Sequence, residues 1–217
     1  MKKLLLGIVF AIIIQSSFAQ ITQWRGPNRD GHFSDTLLLE SWPEEGPEQI
    51  FEVEGIGKGY SSPIIVDGII YTSGMIDTLD YITAINPDGS FKWQKTYGRS
   101  WYKSFPDTRS TPVIDGTRIY VQSGMGQVSC LNREDGETIW SVDVDKDYGT
   151  EYHRWGNSET VLIIDDLVIV SPAGEKTSVV ALNKMTGEQV WQTESLGGPR
   201  SYASATAYEW NGYRFIL

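Results

Sequence analysis

The chain has 217 residues, a net charge of −10, 40% hydrophobic residues, one cysteine and two histidines. An acidic surface repels phosphate backbones, which excludes nucleic acid as a natural partner. One thiol cannot close an intramolecular disulfide, and His32 and His153 give a histidine-clustered metal centre little to build on.

Residues 1–19 read as a secretory signal. Lys2 and Lys3 precede an apolar run from Leu4 to Ile14, and Ser17-Phe18-Ala19 forms a small-x-small cleavage site. The run is too short to span a bilayer, which needs about 20 apolar residues. Its end carries no lipid-anchor cysteine, so the expectation is a periplasmic or secreted chain starting at Gln20.

An N-terminal segment, residues 20–59, follows. Within it Glu48-Gln49-Ile50-Phe51-Glu52-Val53-Glu54 parallels Glu188-Gln189-Val190-Trp191-Gln192-Thr193-Glu194 further along. Residues 48–54 are therefore expected to be a ring-closing outer strand, complementing three strands of a last repeat and removing open sheet edges.

From residue 60 a repeat takes over. Ala84 to Trp93, Cys130 to Trp140 and Ala181 to Trp191 each carry a small residue, an Asn, a turn glycine (Gly89, Gly136, Gly187) and a Trp four residues later. The tryptophans lie 47 and 51 residues apart, the spacing of a four-stranded propeller blade. Upstream of each, two apolar runs flank Asp67-Gly68, Asp115-Gly116 or Asp165-Asp166, the signature of a two-residue hairpin. A fourth copy begins at Ser201. The fold expected is all-β: a β-propeller of four-stranded antiparallel blades, about 60–98, 108–149, 157–197 and an incomplete 201–217, three and a half of a seven- or eight-bladed ring. Helix should be scarce, because no long stretch has a 3.6-residue apolar period.

Beside the repeats, Trp24-Arg25-Gly26-Pro27-Asn28-Arg29-Asp30-Gly31, Arg109-Ser110-Thr111-Pro112 and Arg154-Trp155-Gly156 complete a set that resembles the secreted bacterial PQQ-like propeller-repeat proteins. The resemblance implies that Trp93, Trp140 and Trp191 dock between blades against the turn glycines. For the quinoprotein dehydrogenases of that group it implies pyrroloquinoline quinone, Ca²⁺, a catalytic Asp and an adjacent cysteine pair; this chain has Cys130 alone, in the slot that Ala84 and Ala181 fill elsewhere. The group is also similar to the propeller lipoproteins of outer-membrane protein assembly, which implies a scaffold.

No catalytic residue and no metal ligand is assigned. Asp143-Val144-Asp145-Lys146-Asp147 looks like the start of a Ca²⁺ loop, but Tyr148 and Arg154 stand where such a loop needs Gly and Glu. The reading preferred is an outer strand with Val142 and Val144 inward and Asp143 and Asp145 on an exposed edge. Binding residues are expected just ahead of each blade's first strand, at the mouth of the central channel. Lys58, Tyr60, Arg109, Arg154, Trp155, Arg200 and Tyr202 place cations and aromatics there, suited to an anionic or sugar-like ligand or to an envelope protein. The function expected is an exported, non-catalytic binding or scaffolding module; the alternative is a quinone- and Ca²⁺-dependent alcohol or aldose dehydrogenase.

Overall fold

The computed structural model describes residues 21–34, 36, 38–150 and 155–217; the signal segment 1–19, His153 and Arg154 lie outside them. Three complete four-stranded antiparallel sheets follow one another in the chain. The first comprises β1 (Ile64–Val66), β2 (Ile69–Ile76), β3 (Leu79–Ile85) and β4 (Phe91–Arg99). The second comprises β5 (Val113–Asp115), β6 (Arg118–Gln122), β7 (Gln127–Asn132) and β8 (Thr138–Asp143). The third holds β9 (Leu162–Ile164), β10 (Leu167–Val170), β11 (Val180–Asn183) and β12 (Gln189–Gln192), and a hairpin of β13 (Ala207–Trp210) and β14 (Tyr213–Ile216) opens the fourth.

Turn chemistry sets each first hairpin. Asp67 and Gly68 both take positive φ (52° and 78°), and so do Asn211 and Gly212 (50° and 77°), the conformation whose twist matches the flanking strands. In the second blade the turn sits one residue later than expected. Asp115 ends β5 paired with Arg118, and Gly116 (φ 59°) leads a Gly116-Thr117 loop, a turn with positive φ only at its first position, where glycine has no β-carbon to clash.

Each third strand pairs its small residue with the repeat tryptophan: Ala84 with Trp93, Cys130 with Trp140, Ala181 with Trp191. The register slips immediately afterwards in all three, leaving Lys92, Ile139 and Val190 as bulged residues. A bulge bends its strand and re-aims the next side chain, here turning the ring out of its own sheet. A β-carbon on Gly136 would stand 2.6 Å from the Trp93 ring, and one on Gly187 would stand 2.8 Å from the Trp140 ring. Trp93 Nε1 donates to the Arg133 carbonyl (3.2 Å) and Trp140 Nε1 to the Lys184 carbonyl (3.0 Å), both on the following blade. Between the sheets lie apolar layers: Tyr71, Ile82, Ile114 and Leu131 join blades one and two, and Tyr120, Val128, Val168 and Leu182 join two and three.

A belt of hydroxyls fixes the inner strands. The Ser62 amide donates to Thr111 Oγ1 (3.1 Å), the Thr111 amide to Thr160 Oγ1 (3.2 Å), and the Thr160 amide to Ser204 Oγ (2.9 Å), linking all four blades around the channel. The N-terminal segment lies along the inside of this belt. Thr22 pairs antiparallel with Ile114, and the buried Arg29 guanidinium donates to the carbonyls of Thr160, Val161 and Ala205. Burial lowers the Arg29 pKa to about 10, which leaves it charged at neutral pH.

Residues 48–54 run extended, with no backbone-to-backbone hydrogen bond among the described residues. One expectation is corrected. After β8 the chain does not continue as an edge strand but turns into α1 (Val144–Tyr148), capped by the Asp143 carboxylate at one end and by Gly149 in the left-handed conformation at the other. Asp145 is thereby buried, not exposed. No helix among the described residues is long and apolar enough to cross a membrane.

Candidate functional site

The candidate cleft gathers its residues from three separate segments. Arg109 precedes β5, Trp155 and Ser158 precede β9, and Tyr202 precedes β13, so the repeat itself brings them together. Phe105, from the connection between the first two blades, joins them around a cavity of about 330 Å³. The rings of Phe105 and Trp155 meet edge to face at 6.3 Å, and those of Trp155 and Tyr202 at 5.4 Å, the arrangement that aromatic quadrupoles favour. A second cavity of about 450 Å³ shares Arg109, Ser158 and Tyr202 and adds Trp24, Arg25 and Tyr60. There the Arg25 guanidinium stacks over Trp24 at 5.5 Å. The two cavities together make one cleft with two cations and five aromatic rings.

The backbone beneath this cleft is strained. Arg25 (φ 64°), Phe105 (φ 45°) and Tyr202 (φ 60°) all occupy the left-handed region, which bulky side chains rarely adopt. Each such residue costs about 1–3 kcal/mol and persists only where its surroundings impose it, which is why strain gathers at ligand sites. Arg109 is held in place by donating to the Phe105 carbonyl, so one interaction fixes both the cation and the ring that faces it.

Arg200 does not join the cleft. It is 8% exposed, and its Nη2 pairs with Asp145 Oδ1 at 2.6 Å while donating to the Pro172 carbonyl at 2.7 Å. Asn157 Nδ2 also donates to Asp145 (3.0 Å), so one carboxylate ties together the approaches to the third and fourth blades. A β-carbon on Gly126 would fall 2.0 Å from the Asp145 carboxyl carbon, and that gap in the blade is where the side chain sits. Arg200 is thus a structural clasp, and Arg154 lies outside the described residues. Lys58 is bonded through its backbone to Met75 and lines neither cavity.

Below the cleft Glu159, between Ser158 and Thr160 of its wall, is 2% exposed. Burial pushes its carboxyl up to about 7 against the opposing pull of Arg200; Oε2 accepts from the Ser171 amide at 3.3 Å. Cys130 is fully buried, and desolvation raises its thiol pKa, as suits a core residue rather than a nucleophile.

Residues 79–217 match the protein family described as outer membrane protein assembly factor BamB. The chain belongs to this family. Over 90 residues it is 31% identical to the BamB of Escherichia coli strain K12, covering 40% of this chain and 22% of that one. Over 158 residues it is 26% identical to the BamB of Xanthomonas campestris pv. campestris, covering 70% and 34%. It is also 24% identical over 168 residues to methanol dehydrogenase [cytochrome c] subunit 1 of Methylorubrum extorquens, covering 68% of this chain and 25% of that one. The chain thus spans about a quarter to a third of the length of these relatives. Among solved structures a europium-containing methanol dehydrogenase superposes with a TM-score of 0.50 at 17% identity, covering 68% of this chain and 26% of that one. The designed protein Ika4 superposes at 0.52 and 10% identity, covering 79% and 98%. These two likenesses show the fold, a β-propeller.

The dehydrogenase branch implies pyrroloquinoline quinone and Ca²⁺, and the described residues do not fit that pair. Among the described residues no three His, Cys, Asp or Glu side chains stand together to hold a cation. Two of the three buried carboxylates are engaged otherwise: Asp145 neutralises Arg200, and Asp80 accepts from Thr108 Oγ1 and the Gly124 amide, while burial favours the uncharged form of Glu159. Thr22 and Arg29 of the N-terminal segment bond to the inner strands of the second to fourth blades.

Phe105, Ser158, Trp24 and Arg25 are among the cleft residues that sequence reasoning did not single out. Phe105 lies in a connection that no repeat covers, and Trp24-Arg25 registered only as part of a family-like motif. The signal available for the latter was a cation beside an aromatic, the same pairing as at the blade starts.

Proposed function

We propose that this chain is a binding and scaffolding propeller of the cell envelope, whose ligand site is the aromatic and arginine cleft at the channel mouth. The occupant is an extended peptide segment of a partner protein carrying an acidic side chain next to an aromatic one. The observation that carries this reading is the concentration of Arg25 and Arg109 among five aromatic rings on strained backbone, in a chain whose net charge is −10. Guanidinium groups pair with carboxylates through two parallel donors, and edge-to-face rings leave a slot for another ring. Family membership supports it, since the description of the family is an assembly factor, a role filled by binding other proteins. The exported location, through residues 1–19, is part of the same proposal.

Trp24 and Trp155 are built-in reporters for the test. Titration with short peptides containing Asp-Phe or Glu-Trp should change the intrinsic fluorescence saturably. Arg109→Met should weaken that binding at least tenfold, and Phe105→Gly should weaken it while leaving the melting temperature unchanged or higher, because glycine relieves the positive φ. Peptide binding that Arg109→Met leaves intact, or no binding of any acidic-aromatic peptide, would remove the cleft from consideration. Binding of simple aromatic carboxylates with equal affinity would replace the peptide by a small anionic ligand.

A further inference from the structure

Where β4 ends, the chain crosses toward the second blade, and two neighbouring turns hold the start of that crossing. The Ser100 amide donates to the Thr78 carbonyl (2.9 Å) between β2 and β3, and the Met125 amide, between β6 and β7, donates to the Arg99 carbonyl (3.1 Å). Trp101 comes next and is 5% exposed. A β-carbon on Gly124 would fall 2.4 Å from its backbone nitrogen, and one on Gly156 would fall 2.3 Å from its own β-carbon. Two glycines, one in the second blade and one at the approach to the third, thus clear the space that Trp101 fills. Its Nε1 donates to the Ser104 carbonyl (2.8 Å), so the indole is a fixed wall.

That wall belongs to a cavity of about 450 Å³ lined also by Thr78, Arg99, Tyr102, Lys103 and Met125. Gly156, against which Trp101 packs, lines the channel-mouth cavity, so the two cavities are neighbours, yet they share no lining residue. Lys103 Nζ stands 5.6 Å from the centroid of the Trp101 ring. This cation–π contact holds the ammonium and leaves its N–H donors away from the ring open. Arg99 and Lys103 are exposed, and neither pairs with a carboxylate among the described residues, whereas Lys92, Lys95, Arg133 and Lys184 all do. Among the described residues no acid lines the cavity, although Asp and Glu outnumber Lys and Arg 28 to 18 in the chain.

We infer that this cavity is a second ligand site, separate from the channel-mouth cleft, for a sugar that carries an oxyanion, either a carboxylate or a sulfate ester. Arg99 and Lys103 supply charged donors to the oxyanion, the guanidinium two of them in parallel. The surfaces beside them suit a sugar better than an aromatic ligand. Lys103 already stands over the Trp101 ring, and Tyr102, 54% exposed, is the one aromatic platform of the lining left open, too little to sandwich a flat ring. A pyranose needs only one platform, for its apolar C–H face, and the Thr78 hydroxyl serves its rim. The volume lies within the roughly 300–1,000 Å³ of small-ligand sites, whose walls are largely pre-formed, as Trp101 is. A net charge of −10 repels anions at a distance, so binding rests on short-range contact with both cations.

The full chain is titrated with glucuronate, with a glucose sulfate ester and with glucose, and binding is read from saturation transfer to the sugar protons by NMR. The expected result is saturable binding of one or both anionic sugars and none of glucose; the anion that binds tells carboxylate from sulfate ester. Arg99→Gln and Lys103→Gln should each weaken that binding about tenfold, and Tyr102→Ala should weaken it and reduce transfer to the ring C–H protons. All three side chains are exposed, so the melting temperature should stay unchanged. Glucose binding as strongly as the anionic sugars, tighter binding of benzoate, or no binding of either anion at millimolar concentration overturns the inference. So does binding that Arg109→Met abolishes while Arg99→Gln and Lys103→Gln leave it intact, since the anion would then sit at the channel mouth. None of these outcomes depends on whether the channel mouth takes a peptide.

Discussion

Glu159 is a carboxyl whose protonation the fold controls. Its pKa stands near 7 in the folded chain, raised by burial, against about 4.3 in an unfolded one. Between those values the folded state binds the proton and the unfolded state does not, so unfolding free energy falls as pH rises from about 4.5 to 7. Asp80, raised by burial in the same direction, adds to the slope at its lower end. Glu159→Gln removes the ionisation and keeps an acceptor for the Ser171 amide. Urea unfolding at pH 5 and pH 8 should show the wild type losing stability toward pH 8, on the order of a few kcal/mol at most, and the variant losing much less. Equal slopes for the two proteins would mean that Glu159 is hydrated in the folded state.

At the scale of elements, the connection from β8 through α1 shows what a repeat pattern can and cannot reveal. Strand order, the turns at Asp67-Gly68 and Asp165-Asp166 and the docking glycines were legible because they recur at nearly the same distances from Ala84, Cys130 and Ala181. Asp145 was not, since the alternation Val142-Asp143-Val144-Asp145 is that of an edge strand, and what reverses it lies far away in sequence. Gly126 vacates the space, and Arg200 supplies the counter-charge 55 residues later. The same long-range pairing withdrew Arg200 from the channel mouth, where its position ahead of a blade had placed it. Breaking one member of a buried ion pair leaves the other uncompensated, at a cost of about 3–5 kcal/mol. Arg200→Met should therefore lower stability by that amount in chemical denaturation, while Arg200→Met with Asp145→Leu should lose clearly less than the sum of the two single changes. Strict additivity would show that the two side chains do not form the clasp.

The whole molecule is a row of sheets, so its cooperativity rests on what crosses from one to the next. Beside the Asp145–Arg200 clasp and the Arg29 contacts, three repeating links do so: the aromatic docked on a turn glycine at the periphery, the apolar layer between sheets, and the hydroxyl belt at the channel. The belt is the link that can be cut without changing shape. Thr160→Val keeps the volume but strips the acceptor from the buried Thr111 amide, and an unsatisfied buried donor costs about 1–3 kcal/mol. That loss falls on the junction between the second and third blades, with Ser62 to Thr111 on one side and Thr160 to Ser204 on the other still intact. Calorimetry of Thr160→Val should then show a lower and broader transition, tending to separate into two as the blade pairs lose their coupling. Thr111→Val should produce the same effect one junction earlier, releasing the first blade from the rest. If both variants melt as the parent does, in a single sharp transition at an unchanged temperature, the inner belt carries no coupling, and the cohesion of the row lies in Trp93, Trp140, the layers beneath them and the contacts of Asp145 with Arg200 and of Arg29.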